Sequence, residues 1–390
     1  MCLINKVSEL FYNADLVGVS GVFQFVFSDS DRYWINAPKS KTAQCGMHAF
    51  PDVTIHILEY FFYKVVQGEA DIEQLFSEGR LKIVGDLGRA TLIPDLIRAI
   101  DRKNSGAIEV VMNKRYPALP RFSEDVSERL SFDNGVMRIP ADDLSRKEFT
   151  VNHRLKGIPV VISQGLRDWP LFSMSRDSVQ EIFSNLQGIT RHGAYVDKAF
   201  STEREFRVSS ISEFIANIDD MPRKSSDELP AYMGNNILPE RLIEFIKFPN
   251  FFDRSLYHTP RFWLGPEGTL TPLHRDDVDN IFAQVWGEKS VLLAAPHNRE
   301  ALGCWSTSLN GGLEGCDFKP TAPDYTAFPK AEQVLFIEVN LKPGDILFLP
   351  EGWFHEIKSL TSSLSINFWV KSMRTLSEQL KSERVKVDIL

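Results

Sequence analysis

Three residues have the types and spacing of a metal site. His274 and Asp276 are two positions apart in a stretch whose Gly-Pro turns and apolar runs are typical of β-strands. Side chains at i and i+2 of a strand point to one face, so both can bind one ion while Arg275 points elsewhere. Downstream, the apolar run ILFLP leads through EGWFH to His355. Two imidazoles and one carboxylate with open positions form the facial triad of non-haem Fe(II) oxygenases.

A His-x-Asp pair alone is weak evidence, because a surface histidine near an aspartate is common. Four motifs surround this pair in order, namely GTLTPLHRD, NIFAQVWGEK, PGDILFLPEGWFH and SINFWVK. Over residues 136–371 the sequence resembles the JmjC/cupin-like 2-oxoglutarate oxygenases, and among them the asparaginyl hydroxylases. The resemblance implies a double-stranded β-helix, or jelly roll, with flanking helices. It also implies Fe(II) held by His274, Asp276 and His355, with 2-oxoglutarate and O2 as cosubstrates.

The same resemblance assigns further positions. Lys289, fifteen residues after His274, stands where the family has a lysine that pairs with the far carboxylate of 2-oxoglutarate. Other positions that match the family's cosubstrate pocket are Thr271, Tyr232, Asn280 and Asn367. Trp369 matches a tryptophan at the substrate entrance, and Arg275 is the second substrate-side candidate. The alternative for Lys289 is a solvated lysine in a Gly-Glu-Lys hairpin.

Strand parity tests these assignments independently. Asn367 and Trp369 alternate with apolar neighbours, so one face of that strand can line a site while the other packs. Thr271 lies three residues before His274, which is the wrong parity for a shared face. A bulge at Pro272 would restore the register, and prolines within strands occur at such places.

The carboxylate of Asp276 favours hydroxylation over the other reactions that related metal sites catalyse. Hydrolase or isomerase cupins of the His-x-His type carry a second nearby histidine and a glutamate four residues later, whereas this chain has Asp276 and then Asn280. The 2-oxoglutarate-dependent halogenases lack the carboxylate that Asp276 provides. We therefore expect hydroxylation of an unactivated C–H bond in a peptide, a protein side chain or a small metabolite. The alternative is a catalytically idle module that binds a lipid, an acyl group or a peptide and uses the N-terminal domain to do so.

The first hundred residues indicate a separate α+β unit. Alternating residues over 21–37 predict a hairpin, 52–58 and 80–85 predict strands, and 59–78 predicts a helix. Residues 52–88 resemble the sterol-carrier-protein fold, whose members carry lipids in an apolar tunnel or serve as scaffolding. A lipid or acyl tunnel would be lined by Val22, Phe23, Phe25, Phe61 and Phe62. An apolar pocket and an apolar core have the same composition, and we favour scaffolding.

Length and composition set the remaining expectations. The chain has 390 residues, which predicts two or more domains: 1–105, a linker at 106–135, and 136–390. The formal charge is −8, and no basic stripe interleaved with aromatics occurs, which disfavours nucleic acid as a partner. No apolar run approaches the roughly 18 residues of a membrane span, and residues 1–10 do not have a signal-peptide pattern, so cytoplasmic residence is expected.

Two further features concern the surroundings of the site. The segment 301–328 has few regular patterns and is predicted to be a long loop near the pocket that carries selectivity. The four cysteines are too few for a disulfide framework and too far apart for a zinc knuckle, so free thiols are expected. A homodimer is left open.

Overall fold

The computed structural model describes residues 16, 19–27, 31–40, 42–104, 135–199, 203–221, 229–306 and 314–370. The predicted linker at 106–135 lies outside these residues, apart from residue 135. The division into 1–105, 106–135 and 136–390 therefore stays a prediction. No helix among the described residues is long and apolar enough to cross a membrane.

The N-terminal unit is a five-stranded sheet with helices. Its strands are β1 (Gly21–Val26), β2 (Arg32–Ala37), β3 (Gln44–Cys45), β4 (Val53–Ile57) and β5 (Leu81–Gly85). Its helices are α1 (Glu59–Val66), α2 (Ile72–Ser77), α3 (Leu87–Ala90) and α4 (Ile93–Asn104). The strand order is β3-β2-β1-β4-β5, with β1 and β4 parallel and the other pairs antiparallel. The predicted hairpin at 21–37 is confirmed.

The single helix predicted at 59–78 is wrong. Gly68 has φ +73°, a left-handed conformation that ends α1. Asp71 then caps α2, because its Oδ1 accepts hydrogen bonds from the backbone N–H groups of Glu73 and Gln74, at 2.8 and 3.1 Å. Two short helices therefore replace one long one.

Aromatic rings fill the centre of this unit. Phe23, Phe25 and Phe62 are fully buried, and the ring centroids of Phe25 and Phe62 lie 5.4 Å apart in an edge-to-face arrangement. Val22 and Phe61 are half-buried. Close ring packing is what a scaffold core requires; lipid binding by these five residues stays a prediction.

Residues from 135 onward form two facing sheets with short helices. The strands are β6 (Arg138–Pro140), β7 (Val160–Ser163), β8 (Gln187–His192), β9 (Glu205–Ser210), β10 (Met233–Ile237), β11 (Arg261–Gly265), β12 (Leu270–Arg275), β13 (Asn280–Trp286), β14 (Lys289–Ala294), β15 (Cys304–Ser306), β16 (Glu314–Cys316), β17 (Ile337–Leu341), β18 (Ile346–Leu349), β19 (Phe354–Ser359) and β20 (Ser363–Trp369). The α-helices are α5 (Arg146–Phe149), α6 (Pro170–Ser173), α7 (Arg176–Ile182) and α8 (Ile211–Ala216). A π-helical turn spans Thr150–Arg154, and 3-10 turns span Ala141–Asp143, Ile218–Asp220, Glu240–Phe245, Arg254–Leu256, Pro296–Glu300 and Pro329–Gln333.

The sheet topology confirms the jelly roll. One sheet has the order β10-β11-β20-β13-β18-β7-β6 and the other β15-β16-β12-β19-β14-β17, with β8 and β9 paired separately. The chain changes sheet at each step from β11 to β14 and again from β17 to β20. Phe282 and Leu347 of the first sheet pack on Val291 and Val339 of the second. The alternate residues of β13 pack on the helix side, so that strand is buried on both faces.

Helix α2 attaches the N-terminal unit to the jelly roll. Arg261 of β11 forms an ion pair with Glu73, with Nη2 3.0 Å from Oε1. Gln74 donates from Nε2 to the Leu238 carbonyl at 2.6 Å and accepts at Oε1 from the Glu240 N–H at 2.8 Å. These contacts place the first unit against β10 and β11, at one end of the second unit.

The long loop predicted at 301–328 is wrong in part. Within it, β15 and β16 pair with each other, and β16 pairs with β12, with Gly315 opposite His274. Residues 307–313 between the two strands lie outside the described residues. An edge strand presents unpaired backbone groups, and β16 satisfies those of β12. The segment is therefore part of the sheet that carries the first metal-site histidine.

Candidate metal centre

The pairing of β12 with β19 brings together residues that are far apart in the sequence. His274 and His355 are direct partners in this antiparallel register, and their ring centroids lie 4.2 Å apart. Asp276 follows the end of β12, with Oδ2 3.9 Å from Nε2 of His355. One potential ligand atom from each of the three buried residues lies within 4.8 Å of the other two. This is the spacing of three ligands around one ion.

The backbone orients both imidazoles. Nδ1 of His274 lies 2.8 Å from the Pro272 carbonyl, and Nδ1 of His355 lies 3.0 Å from the Trp353 carbonyl. With the proton on Nδ1 donated to these carbonyls, the Nε2 lone pair is presented to a metal. Burial, and next the neighbouring His355, lower the pKa of His274 well below its ordinary value. The neutral form that a metal ligand needs is therefore favoured.

Asp276 is fixed from two sides. The indole N–H of Trp369 donates to its Oδ2 at 2.9 Å, and its backbone carbonyl accepts from the N–H of Gly352 at 3.0 Å. Trp369, predicted at the substrate entrance, lines the pocket as well. A hydrogen-bonded carboxylate keeps its orientation when a metal binds, so Trp369 supports the metal ligand in addition to facing the pocket.

The predicted bulge near Pro272 is confirmed. The register between β12 and β19 shifts between Thr271 and His274, and both of these residues line the same pocket. Tyr232, the residue that precedes β10, also lines this pocket. Burial raises the pKa of its phenol to about 12. A phenol that stays protonated remains a hydrogen-bond donor toward an anion.

Lys289 is inside the molecule. Its side chain is 1% exposed, and Nζ makes no hydrogen bond with any described residue. Nζ lies 5.8 Å from the ring centroid of Tyr232 and 5.4 Å from that of Phe282, two rings that line the metal pocket. Burial lowers the pKa of Lys289 to about 7. The solvated-hairpin alternative is wrong, because the side chain is buried beside Tyr232 and Phe282.

Comparison with known proteins identifies the family. Residues 146–375 match the model of the cupin-like domain, which is more than half of the chain. The chain belongs to the cupin-like domain family. Residues 4–98 match the SCP-2 sterol transfer family. Both resemblances seen in the sequence are confirmed at the level of family.

Proteins similar to this cupin-like chain are named lysine-specific demethylases or Jumonji C domain-containing proteins. It is 29% identical over 232 residues to "Lysine-specific demethylase JMJ30" of Arabidopsis thaliana, covering 58% of this chain and 53% of the relative. It is 36% identical over 231 residues to "Lysine-specific demethylase 8" of Xenopus tropicalis, covering 58% and 51%. "Jumonji C domain-containing protein 5" of Drosophila melanogaster is 30% identical over 174 residues, covering 40% and 43%. The chain thus spans about half the length of the relatives it matches.

Two asparagines complete the pocket of this cupin-like domain. Asn367 donates from Nδ2 to Oδ1 of Asn280 at 3.3 Å and accepts at Oδ1 from the indole of Trp263 at 2.8 Å. Sequence reasoning missed Trp263, although its alternation with the buried Phe262 and Leu264 was a usable signal. The enclosed volume is about 20 Å³, enough for an ion.

The substrate role predicted for Arg275 is not supported. The side chain points away from the pocket, as strand parity predicts, but it is 2% exposed. Its Nη2 lies 2.6 Å from Oε2 of Glu314 in β16, and Arg299 also binds that carboxylate, at 2.9 Å. The substrate contact of Arg275 stays a prediction. The position of its side chain indicates a structural ion pair.

Proposed function

We propose that this chain is an Fe(II)- and 2-oxoglutarate-dependent oxygenase that hydroxylates a C–H bond in a protein or peptide side chain. Two imidazoles and one carboxylate, with their remaining directions open to the pocket, suit Fe(II) among the divalent metals. Membership in the cupin-like domain family and the two relatives named lysine-specific demethylases support the same reaction class.

The observation that carries the proposal is the isolated ammonium of Lys289. A buried cation without a partner is costly, since desolvation disfavours the charged form. A dicarboxylate held by the metal at one end would bring its second carboxylate to this side of the pocket. Such a ligand supplies the counter-charge that the described protein residues do not provide.

Each part of the site has a role in this proposal. His274, Asp276 and His355 would hold the metal, which when bound supplies dioxygen activation coupled to oxidative decarboxylation of 2-oxoglutarate. Lys289 and Tyr232 would bind the far carboxylate of the cosubstrate as cation and hydrogen-bond donor. Phe282, Ile357 and the indole of Trp263 give the pocket apolar walls that exclude water.

The cosubstrate pocket has three further polar side chains. Thr271, Asn280 and Asn367 line it and are buried. Their hydroxyl and amide groups can donate to carboxylate oxygens and so fix the orientation of the cosubstrate. We assign them to cosubstrate positioning.

The substrate class rests on the relatives. Two of them are named lysine-specific demethylases. Removal of an N-methyl group by an oxygenase starts with hydroxylation of a methyl C–H bond, so demethylation and stable hydroxylation share one first step. Because the chain matches only about half of each relative, we propose a protein or peptide side chain without choosing among side chains.

The test is turnover of 2-oxoglutarate by the full chain supplied with Fe(II) and ascorbate. We expect succinate release by the wild type and none by His274→Ala, with the circular dichroism spectrum unchanged. His297→Ala, which removes an exposed histidine, is the matched control and should be fully active. Equal succinate release by wild type and His274→Ala, or none by the wild type, would refute the proposal and leave an idle binding module. Mass spectrometry of lysine- and methyl-lysine-containing peptide pools then reports addition of one oxygen or loss of a methyl group.

A further inference from the structure

A second cavity lies between the N-terminal unit and the jelly roll. Its volume is about 300 Å³, at the lower end of small-molecule sites. The wall from the first unit includes an apolar group, Ile72, Phe76, Leu81, Ile83, Leu92 and Ile93, beside the acidic Glu73 and Asp95. None of these residues belongs to the set predicted to line a lipid tunnel within the first unit.

The opposite wall carries two arginines. Arg191 of β8 has a buried Nε that makes no hydrogen bond with a described residue, while its Nη2 donates to the Gly234 carbonyl at 3.3 Å. Its guanidinium lies 5.8 Å from the ring centroids of both Tyr232 and Trp263. Arg204 lines the same cavity, and burial, with the nearby charge of Arg191, lowers its pKa to about 9. Two half-buried guanidinium groups therefore line one cavity.

The charges around the cavity do not balance. The acidic side chains that line it are Glu73 and Asp95, and Glu73 is bound by Arg261 through an ion pair. Against these two acidic side chains the lining has three arginines, Arg191, Arg204 and Arg261, so basic residues exceed acidic ones by one. Guanidinium groups attract oxyanions, which they can bind with two parallel hydrogen bonds.

The backbone at the cavity wall is strained. Asn235 lies in the left-handed region, with φ +61°, where the register between β10 and β11 shifts between Met233 and Asn236. A non-glycine residue in this region costs free energy, and such residues concentrate at binding and catalytic sites. Bulges are over-represented beside functional sites, and residues of this one line the cavity.

We propose that this cavity is a binding site for a small amphiphilic anion, with an oxyanion head group on Arg191 and a short apolar chain against the wall of the N-terminal unit. The head group is a carboxylate or a phosphate, since guanidinium binds both. The site is distinct from the metal centre and does not depend on the proposed oxygenase activity. The two pockets share one boundary, because Arg191 packs on Tyr232 and Trp263, which line the metal pocket.

The test is calorimetric titration of the full chain with four probes that share an eight-carbon chain: octanoate, octyl phosphate, octylamine and 1-octanol. We expect saturable one-to-one binding of octanoate or octyl phosphate. Whichever of these two anions binds more tightly identifies the head group as a carboxylate or a phosphate. Octylamine and octanol should bind at least about tenfold more weakly, because they lack the negative charge.

Variants locate the bound probe. Arg191→Met should weaken binding of the anion by about tenfold or more, and Arg204→Met provides a second variant if the first unfolds. Arg207→Met in β9 removes an exposed arginine and should bind as the wild type does. His274→Ala should also bind the probe normally. Failure of both anions to bind, equal binding of octylamine, or loss of binding in Arg207→Met or His274→Ala would overturn the proposal.

Discussion

The buried ammonium of Lys289 makes the affinity for 2-oxoglutarate depend on pH. With a pKa of about 7 in the free protein, the side chain is largely neutral at pH 8 and charged at pH 6. A bound carboxylate should return the pKa toward its ordinary value of about 10.4, so binding at pH 8 takes up about 0.9 proton and at pH 6 about 0.1. Above pH 7 the dissociation constant should therefore rise about tenfold per pH unit.

The proton uptake and the dissociation constant can both be measured by calorimetry. The Mn(II)-loaded protein is titrated with 2-oxoglutarate in two buffers of different ionisation enthalpy. In Lys289→Met the proton uptake should vanish and the pH dependence should flatten. At pH 7 the loss of a charged hydrogen bond, worth roughly 1.5–3 kcal/mol, should weaken affinity by about 10- to 150-fold. Lys358→Met, on the exposed side of β19, is the matched control and should behave as the wild type does.

The same pKa has a consequence for stability in the absence of cosubstrate. Between about pH 7 and pH 10 the unfolded state binds more protons at this lysine than the folded state, so the free energy of unfolding rises with pH. The contribution is up to about 1.4 kcal/mol per pH unit and should be missing from Lys289→Met. A dissociation constant for 2-oxoglutarate that is independent of pH and equal in wild type and Lys289→Met would refute this reasoning.

Three further predictions follow from contacts around the metal centre. Trp369→Phe removes the N–H bound to the metal-site carboxylate, so affinity for Mn(II) should fall by about 10- to 100-fold in a metal titration; unchanged affinity would contradict a supporting role. Glu314→Gln leaves the buried Arg275 without its anion and should cost about 3–5 kcal/mol in urea unfolding; a loss under 1 kcal/mol would count against the pair. The Sγ atoms of Cys304 and Cys316 lie 3.1 Å apart on directly paired positions. Diamide should therefore form an intrachain disulfide, and an unchanged thiol count would argue otherwise.

The metal residues could be predicted because their signal is local. The spacing of His274 and Asp276 within one strand places them on one face, and the motif that ends at His355 marks the second histidine. The pairing of β12 with β19, which makes the two histidines direct neighbours, is a tertiary fact with no local signal. In the absence of the family pattern, the sequence alone predicts a candidate pair and a distant candidate histidine.

The burial of two charged residues, Lys289 and Arg275, could not be predicted from the sequence. A lysine at the start of a strand after a Gly-Glu turn is usually solvated, and only the tertiary packing against Tyr232 and Phe282 buries Lys289. Parity correctly placed Arg275 off the metal face, but it cannot tell whether the far face meets water or protein. Glu314, the ion-pair partner of Arg275, lies in the segment 301–328, which the sequence predicts to be a loop. The ion pair therefore could not be predicted from the sequence.

Strand β12 shows how the two faces of one strand depend on each other. A slip of one residue would exchange its faces and remove His274 from the site. The bulge after Thr271 and the pairing with β16 both fix this register, and the ion pair of Arg275 with Glu314 anchors the far face. A buried ion pair adds little net stability over apolar packing, and its best-attested use is to specify register. We therefore infer that the Arg275 pair serves the metal site by holding β12 in place, although it lies on the side away from the ion.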